Sequence, residues 1–213
     1  MIVNEHIADY LFSLEKDIPA ELISLEKKSL ESGVPIIRRD AQQLLRFILQ
    51  KEKPEAILEI GTAVGFSALF MLEFAPETAH ITTIEKVEMR LAEARKNLKG
   101  RERIRLIEAD ADNALKALRE EGVGFDLVFL DAAKGQYSSW LEDITGLMRP
   151  GALLVTDNVL LEGSIAESKF SIERRDRTIH KRMRDYLYEL THSEVFETVI
   201  LPVGDGMAVS YLK

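Results

Sequence analysis

The segment LEIGTAVGFSA, residues 58–68, has the pattern of a buried strand, a glycine turn and the first turn of a helix. Gly61 allows a sharp turn after the strand, and Gly65 allows close approach of a ligand or of the helix to the strand. No Gly-Lys-Ser/Thr follows, so the segment is not a phosphate loop, and Ala63 replaces the middle glycine of the dinucleotide fingerprint. The segment predicts a strand-turn-helix unit with a ligand at its turn, but it does not identify the ligand.

Short apolar runs alternate with amphipathic stretches after this point. The predicted strands are AILEI (56–60), ITTIE (81–85), IRLIEAD (104–110), FDLVFLD (125–131) and ALLVTDN (152–158). Helical periodicity is found between them, for example at 87–100 and 111–122. This alternation predicts an α/β fold with a parallel sheet and helices on both faces.

The first part of the chain has helical periodicity throughout. Its predicted helices are 4–16, 19–33 and 39–53, with breaks at Pro19 and Gly33. We predict a single domain, 1–213, in which a helical cover (1–53) packs on an α/β core (54–213).

The composition and the first residues bear on location and partners. The chain starts without the basic and apolar regions of a signal peptide, and no apolar run is long enough to span a membrane. We therefore expect a soluble, cytoplasmic protein that does not act at a membrane. A formal net charge of -8 argues against a surface that is basic throughout.

An acidic side chain lies at or near the end of each predicted strand, at Glu59, Glu85, Asp110, Asp131 and Asp157. The carboxyl ends of parallel strands share one sheet edge, where open α/β proteins bind ligands. Acids that only cap the following helices would explain one or two of the five. A ligand site explains the whole row better, and a carboxylate at the end of the second strand can accept the hydroxyls of a ribose.

Asp131 and the pair Asp157-Asn158 are predicted to come from neighbouring strand ends. Two carboxylates and one amide oxygen form a hard, incompletely filled shell that suits Mg²⁺, with water and substrate oxygens at the other positions. The chain has no cysteine and only four histidines, which also favours a hard cation. We predict Mg²⁺ here, although the ligand types do not distinguish it from Mn²⁺ or Ca²⁺. The alternative is an ordinary turn at Asp157-Asn158.

Five motifs, in the order EIGTAVGFSA, IEK, EADA, DAAKGQY and TDNVL, resemble the metal-dependent class of S-adenosylmethionine O-methyltransferases, which includes catechol and caffeoyl-CoA methyltransferases. The resemblance extends from about Val34 to the closing PVGDGMAVSYLK. It implies a Rossmann-like class I methyltransferase fold, with a mostly parallel seven-stranded sheet and extra N-terminal helices.

The resemblance also implies roles for individual residues. The residues that would bind S-adenosylmethionine are Glu59, Gly61 and Ser67 at its amino-acid end, Glu85 at the ribose, Asp110 and Ala111 at the adenine, with Ile37 and Asp131 in the same pocket. Asp131 would also bind the metal, and Lys134 would be the general base. A lysine with the ordinary pKa of ~10.4 is protonated at neutral pH, so this role requires a lowered pKa. The alternative for Lys134 is a surface charge.

The segment KFSIERRDRTIHKRMR, residues 169–184, has seven basic and two acidic residues. On a helix counted from Arg174, its basic residues fall on one half, opposite Ile179, Met183, Tyr186, Leu187 and Leu190. Solvated basic helix faces are common, but this one occurs in an acidic chain. We predict that it binds RNA phosphates through Arg174, Arg175, Arg177, Lys181 and Arg182.

Within the family, DAAKGQY, TDNVL, the arginine-rich stretch and PVGDGMAVS together resemble the bacterial tRNA 5-hydroxyuridine methyltransferases, which make 5-methoxyuridine at the wobble position. This resemblance implies a tRNA anticodon stem-loop as the substrate. A small molecule such as a catechol is the alternative acceptor, because the same metal site serves both. A non-catalytic S-adenosylmethionine-binding protein is a third possibility, against which the complete set of Lys134 and metal ligands argues.

The closing segment LPVGDGMAVSYLK predicts a turn at Gly204-Asp205-Gly206 followed by a last strand. By analogy with related enzymes, this strand is predicted to contribute to a homodimer. An ordinary hairpin is the alternative.

Overall fold

The computed structural model describes residues 5–213. The predicted first helix included Asn4, which lies outside the described residues. The helices are α1 (Glu5–Ser13), α2 (Ala20–Glu31), α3 (Arg39–Glu52), α4 (Phe66–Phe74), α5 (Glu88–Asn97), α6 (Ala111–Glu121), α7 (Tyr137–Leu147) and α8 (Arg177–Thr191). The strands are β1 (Ala56–Ile60), β2 (His80–Glu85), β3 (Ile104–Glu108), β4 (Phe125–Leu130), β5 (Met148–Thr156), β6 (Phe196–Leu201) and β7 (Met207–Leu212).

The seven strands form one sheet in the order β3-β2-β1-β4-β5-β7-β6. The first five strands are parallel, and β7 is antiparallel to both β5 and β6. The prediction of a mostly parallel seven-stranded sheet is confirmed. The strand order reverses between β1 and β4, and this is where open α/β sheets form a crevice for ligands.

The core lies on both faces of the sheet because successive side chains of a strand point to opposite sides. Leu58 and Ile60 of β1 pack with α6, α7 and α8, whereas Ile57 packs with α2, α3 and α4. Each strand of the centre is therefore covered on both faces, as its almost continuous apolar sequence predicts.

The helical cover is joined to this core through α2 and α3. Leu45 and Leu49 of α3 are fully buried against α4. Glu26 of α2 is also buried, and it is compensated by Arg39 (2.7 Å) and by the amide of Gln42 (3.1 Å). These contacts fix the segment Pro35–Arg38, which precedes α3. This segment reaches the edge of the sheet where the strands end.

Helix α8 begins later than predicted. Arg174 and Arg175 precede the helix, which starts at Arg177 with Asp176 at its N-cap position. The buried face also differs, because Ile179 is 40% exposed and His180 is buried instead. The reason is polar: His180 Nε2 lies 3.1 Å from the carbonyl oxygen of Ser164, so the imidazole is satisfied in the core.

Candidate active site

The ends of β1, β4 and β5 lie side by side because their hydrogen-bond ladder continues past the strands. The amide of Asp131 donates to Ile60 O (3.0 Å), and that of Asp157 donates to Leu130 O (3.0 Å). The structure therefore brings the predicted Asp131 and Asp157 to one edge, next to Gly61 at the end of β1.

Gly61 is required by this close arrangement. Its φ is +109°, and an added Cβ would lie 2.0 Å from the carbonyl oxygen of Asp131. A side chain at this position would push the β1 turn away from the end of β4. Backbone packing thus explains the glycine that the sequence motif indicated.

A cavity of about 700 Å³ opens at this edge of the sheet. The predicted site residues that line it are Gly61, Glu85, Ala111, Asp131, Lys134 and Asn158. Asp157 is buried directly beside them. Ile37, Glu59, Ser67 and Asp110 are absent from its walls.

Glu85 is held rigidly at the cavity wall. Its carboxylate accepts hydrogen bonds from the backbone amides of Ala63 (3.0 Å), Lys86 (2.9 Å) and Val87 (2.9 Å). A carboxylate has about four acceptor positions, so these three donors leave room for at least one hydroxyl of a ligand. The position fits a ribose contact, with the geometry fixed before the ligand binds.

Glu59 lies behind the glycine turn and is fully buried. Its Oε2 accepts from the Thr83 hydroxyl, which is bonded to Thr62 in turn, and within residues 5–213 no donor is in hydrogen-bonding geometry with its Oε1. Burial raises the pKa of Glu59 to about 7, and the Ser67 and Thr83 hydroxyls oppose this rise only in part. Glu59 and Ser67 thus lie together behind the turn and do not line the cavity, and their contact with the cofactor stays a prediction.

Asp110 and Ile37 also lie next to the cavity wall and not in it. Asp110 caps α6 by accepting from the amide of Asp112 (3.2 Å), and it pairs with Lys86 (2.6 Å). Ile37 is buried in the core beneath the cover, because its neighbours Ile36 and Arg38 point to the cavity instead. The loops that carry these predicted residues do reach the cavity, through Ile36, Arg38 and Ala111.

The strand ends gather more negative charge than the nearby side chains neutralise. Burial, then repulsion by Asp131 and Asp205, raises the pKa of Asp157 to about 7. Burial also raises the pKa of Asp131, although Asn158 and the charge of Lys134 oppose this rise. Such clustered, desolvated carboxylates are the usual sign of a cation site or a functional site.

The predicted metal ligands fit a hard divalent ion in donor type. Among the described residues, no group of three or more histidine, aspartate or glutamate side chains is arranged around a common point. The predicted set instead has two carboxylates and one amide, which leaves positions for water and substrate. Asn158 now donates its amide nitrogen to Asp131 (3.1 Å), so the amide would have to rotate to present its oxygen.

Comparison with known proteins places this arrangement in a family. A family model described as O-methyltransferase matches residues 12–212. The chain belongs to the O-methyltransferase family. Among its relatives, a catechol O-methyltransferase of Niastella koreensis is 28% identical over 221 residues, covering 99% of this chain and 96% of that protein. A catechol O-methyltransferase of Mycobacterium tuberculosis is 30% identical over 190 residues, covering 84% and 83% of the two chains.

A solved structure agrees with these relatives. The S-adenosylhomocysteine-bound methyltransferase of Podospora anserina is 27% identical, with a TM-score of 0.85 over 99% of this chain and 97% of that one. Within residues 5–213 of the methyltransferase, we find no helix with the length and apolar character needed to cross a membrane.

Lys134 of this O-methyltransferase lies at the cavity wall, and its Nζ is 3.7 Å from Asp205 Oδ2. Asp205 is buried in the turn between β6 and β7, and its other oxygen accepts from the amide of Glu162. The sequence predicted only a turn at this position. An aspartate between two glycines was the available signal, but its partner is 71 residues away in the chain.

Other cavity residues of the methyltransferase were also missed. They are Arg38, Arg90 and Trp140. Arg38 and Glu162 form an ion pair of 3.1 Å, which connects the helical cover to the segment after β5. These residues carry no motif of their own, and only the fold brings them together.

The predicted RNA-binding residues all lie on the surface. Arg182 contacts the loop that carries Lys134, because its Nη1 donates to the carbonyl oxygen of Gly135 (2.9 Å). Arg177 donates to Ile172 O (3.0 Å), and Lys181 pairs with Asp185 (2.5 Å). Arg175 pairs with Glu173 (3.1 Å) and Asp176 (3.5 Å).

Proposed function

We propose that this methyltransferase transfers the methyl group of S-adenosylmethionine to 5-hydroxyuridine at the wobble position of tRNA, giving 5-methoxyuridine. The single observation that carries this proposal is the basic surface of residues 169–184, connected to the Lys134 loop through Arg182 and Gly135. The bond from sulfur to methyl breaks as the bond from the base oxygen to methyl forms. S-adenosylhomocysteine leaves, and the hydroxyl proton passes to the enzyme.

The cavity supports the choice of methyl donor. Its volume of about 700 Å³ lies within the usual range for cofactor sites, roughly 300–1,000 Å³. Glu85 offers a fixed acceptor for a ribose hydroxyl, and the wall has no phosphate-binding loop. The relative from Podospora anserina holds S-adenosylhomocysteine, the product of this donor.

A divalent ion, Mg²⁺ in our proposal, would be held by Asp131, Asp157 and Asn158. It would lower the pKa of an acceptor hydroxyl and neutralise part of the buried charge at the strand ends. In the absence of such an ion, Asp131 and Asp157 raise the energy of each other's charged form, so these residues favour its binding.

Lys134 is proposed to accept the acceptor's proton on its Nζ. Asp205 lies 3.7 Å from that atom and would stabilise the ammonium that results. The positive charge of a bound divalent ion would favour the neutral amine before that step. The backbone amide of Glu162 donates to Asp205 and holds it in place. Glu162 belongs to the segment after β5, which lines the cavity and which we propose to face the methyl acceptor.

The exposed cations support an RNA acceptor. Phosphate contacts fix the position of a nucleic acid. Within the described residues, the guanidinium of Arg174 forms no hydrogen bond or ion pair, so it can bind a phosphate. A loop nucleotide of tRNA is unpaired and can enter a pocket without opening a duplex. A 5-hydroxyl beside the 4-carbonyl of the base also presents two neighbouring oxygens, as a catechol does.

A catechol-type small molecule is the second candidate acceptor. The observation that favours it is the name of both relatives above, each a catechol O-methyltransferase. The proposed metal site and Lys134 would serve such a substrate equally well.

The test is methyl transfer to tRNA carrying 5-hydroxyuridine and, separately, to catechol, with detection of the product by mass spectrometry. The variant Arg174→Ser/Arg175→Ser removes charge without touching the cavity, and Lys27→Ser/Lys99→Ser is the control with the same charge change elsewhere. We expect the first variant to lose kcat/KM for tRNA only. Transfer to catechol with none to tRNA would replace the proposal with the second candidate, and no transfer to any hydroxylated acceptor would favour a binding protein.

A further inference from the structure

Phe170 is an exposed aromatic side chain within the basic surface. Its side chain is 77% exposed, whereas Ile172, two residues later, is 8% exposed. The segment therefore already has an apolar anchor in Ile172, and packing does not account for a second large apolar residue at Phe170. A single exposed apolar residue is common on protein surfaces, so the role of Phe170 follows from the residues that surround it.

The backbone that carries Phe170 is held by α8 on both sides. Arg184 Nη1 donates to Glu167 O (3.4 Å), and Arg177 Nε donates to Ile172 O (3.0 Å). Within the segment, the amide of Ser171 donates to Ser168 O (2.9 Å). The backbone beneath the phenyl ring is therefore fixed by hydrogen bonds before a ligand binds. Binding then loses little conformational entropy in this segment.

The surroundings of Phe170 are cationic. Lys169 Nζ lies 5.2 Å from the centre of the ring, and Arg174, Arg175 and Arg177 follow within the same exposed stretch. The nearby acids Glu173 and Asp176 are both paired with Arg175. Aromatic rings among lysines and arginines are what single-stranded RNA sites use, because the bases stack while the cations bind the phosphates.

The same segment begins inside the active site. Leu161 and Glu162 line the cavity, and the chain then runs outward from Ser164, which is held by His180 (3.1 Å), to Phe170. A loop whose one nucleotide entered the cavity would have its neighbouring nucleotides on this outward path. We infer that Phe170 is a stacking platform for an unpaired base adjacent to the methylated nucleotide, an inference that rests on the proposed tRNA substrate.

The experiment measures the binding of two RNAs to the full chain saturated with S-adenosylhomocysteine. One is an anticodon stem-loop, and the other is a duplex with the same stem but no loop. For Phe170→Ala we expect weaker binding of the stem-loop by about 10- to 100-fold, the range of one lost base stack, and unchanged binding of the duplex. Phe170→Tyr should restore the affinity, because a tyrosine ring also stacks.

Tyr188→Ala is the matched control, since Tyr188 is 65% exposed near the other end of α8. Equal stem-loop affinity of Phe170→Ala and the unmodified chain would overturn the inference while leaving the proposed function intact. Weaker binding of both RNAs, or a lower affinity for S-adenosylhomocysteine, would also overturn it, because the residue would then have a general structural role. If the unmodified chain binds no stem-loop, the proposed function and the inference fail together.

Discussion

At the scale of single residues, Lys134 and Asp205 form the pair on which the proposed chemistry depends. Lys134 comes from the loop after β4, and Asp205 comes from the turn before β7, so two distant parts of the chain supply the proposed base and the carboxylate beside it. Asp131 and Asp157 lie nearby with raised pKa values. The site therefore places the proposed proton acceptor beside a cluster of buried carboxylates.

Replacing Lys134 with Ala should lower the single-turnover rate of methyl transfer by roughly 10²–10⁴-fold, the usual contribution of a general base. Asp205→Asn should have a smaller effect, because it leaves the lysine in place. The affinity for S-adenosylhomocysteine should be unchanged in both variants. Lys116→Ala is the control, and an undiminished rate in Lys134→Ala would remove this residue from the chemistry.

Glu59 predicts a pH dependence of stability. Its pKa is raised from 4.5 to about 7 by burial, so the folded state binds its proton more tightly than the unfolded state does. The stabilisation of the folded state by this proton is complete below pH 4.5 and is lost as the pH rises to about 7. It contributes about 3 kcal/mol to the free energy of unfolding.

Glu59→Gln should remove this dependence. Relative to the unmodified chain, the variant should become more stable as the pH rises from 4.5 to 7, which urea unfolding at several pH values will measure. Glu77→Gln, at an exposed position, is the control. A stability difference that does not change with pH would contradict the assignment.

At the scale of structural elements, the β1 turn is fixed by the absence of a side chain at Gly61. Gly61→Ala places a Cβ against the carbonyl oxygen of Asp131 in a backbone conformation with φ +109°. Gly100 is a matched control, since its φ is +78° and its surroundings are open.

We expect Gly100→Ala to cost about 1 kcal/mol of folding stability, from backbone strain alone. Gly61→Ala should cost clearly more and should also weaken S-adenosylhomocysteine binding, because Asp131 must shift. Calorimetric binding and urea unfolding of both variants measure these effects. Equal losses in the two variants would argue against close packing as the reason for Gly61.

The elements also explain what the sequence could and could not predict. The strands and the row of acids followed from local periodicity, and Asp131 and Asp157 are neighbours because parallel strands end at one edge. The start of α8 was predicted too early, since Arg174 fits the helical spacing but precedes the N-cap Asp176. Asp205 was missed because its position beside Lys134 depends on an antiparallel strand pairing that no local pattern encodes.

At the scale of the whole molecule, charge at the strand ends should make stability depend on divalent cations. Above the raised pKa of Asp157, about 7, the clustered carboxylates are ionised and repel one another. Mg²⁺ at 100 times its Kd should raise the thermal midpoint by roughly 5–10 °C. Asp157→Asn should remove most of this shift, and NaCl at equal ionic strength is the control. An identical shift of the thermal midpoint in the unmodified chain and in Asp157→Asn would mean that Mg²⁺ binds at a different site.

The helical cover bears on the expected homodimer. Tyr10 and Phe47 are 64% and 65% exposed on α1 and α3, and large exposed apolar residues favour association. We expect sedimentation to give the mass of a dimer. Tyr10→Ser/Phe47→Ser should shift the mass toward a monomer if the cover forms the contact, whereas a dimer unaffected by this change would favour the β7 region.

The position of β7 has a consequence for how the protein is made. This strand is the last of the seven in the chain, yet it lies between β5 and β6. During synthesis from the N-terminus, β5 therefore keeps an open edge until residues as far as Leu212 have left the ribosome. Nascent chains should be most prone to aggregation, and without methylating activity, just before that final insertion.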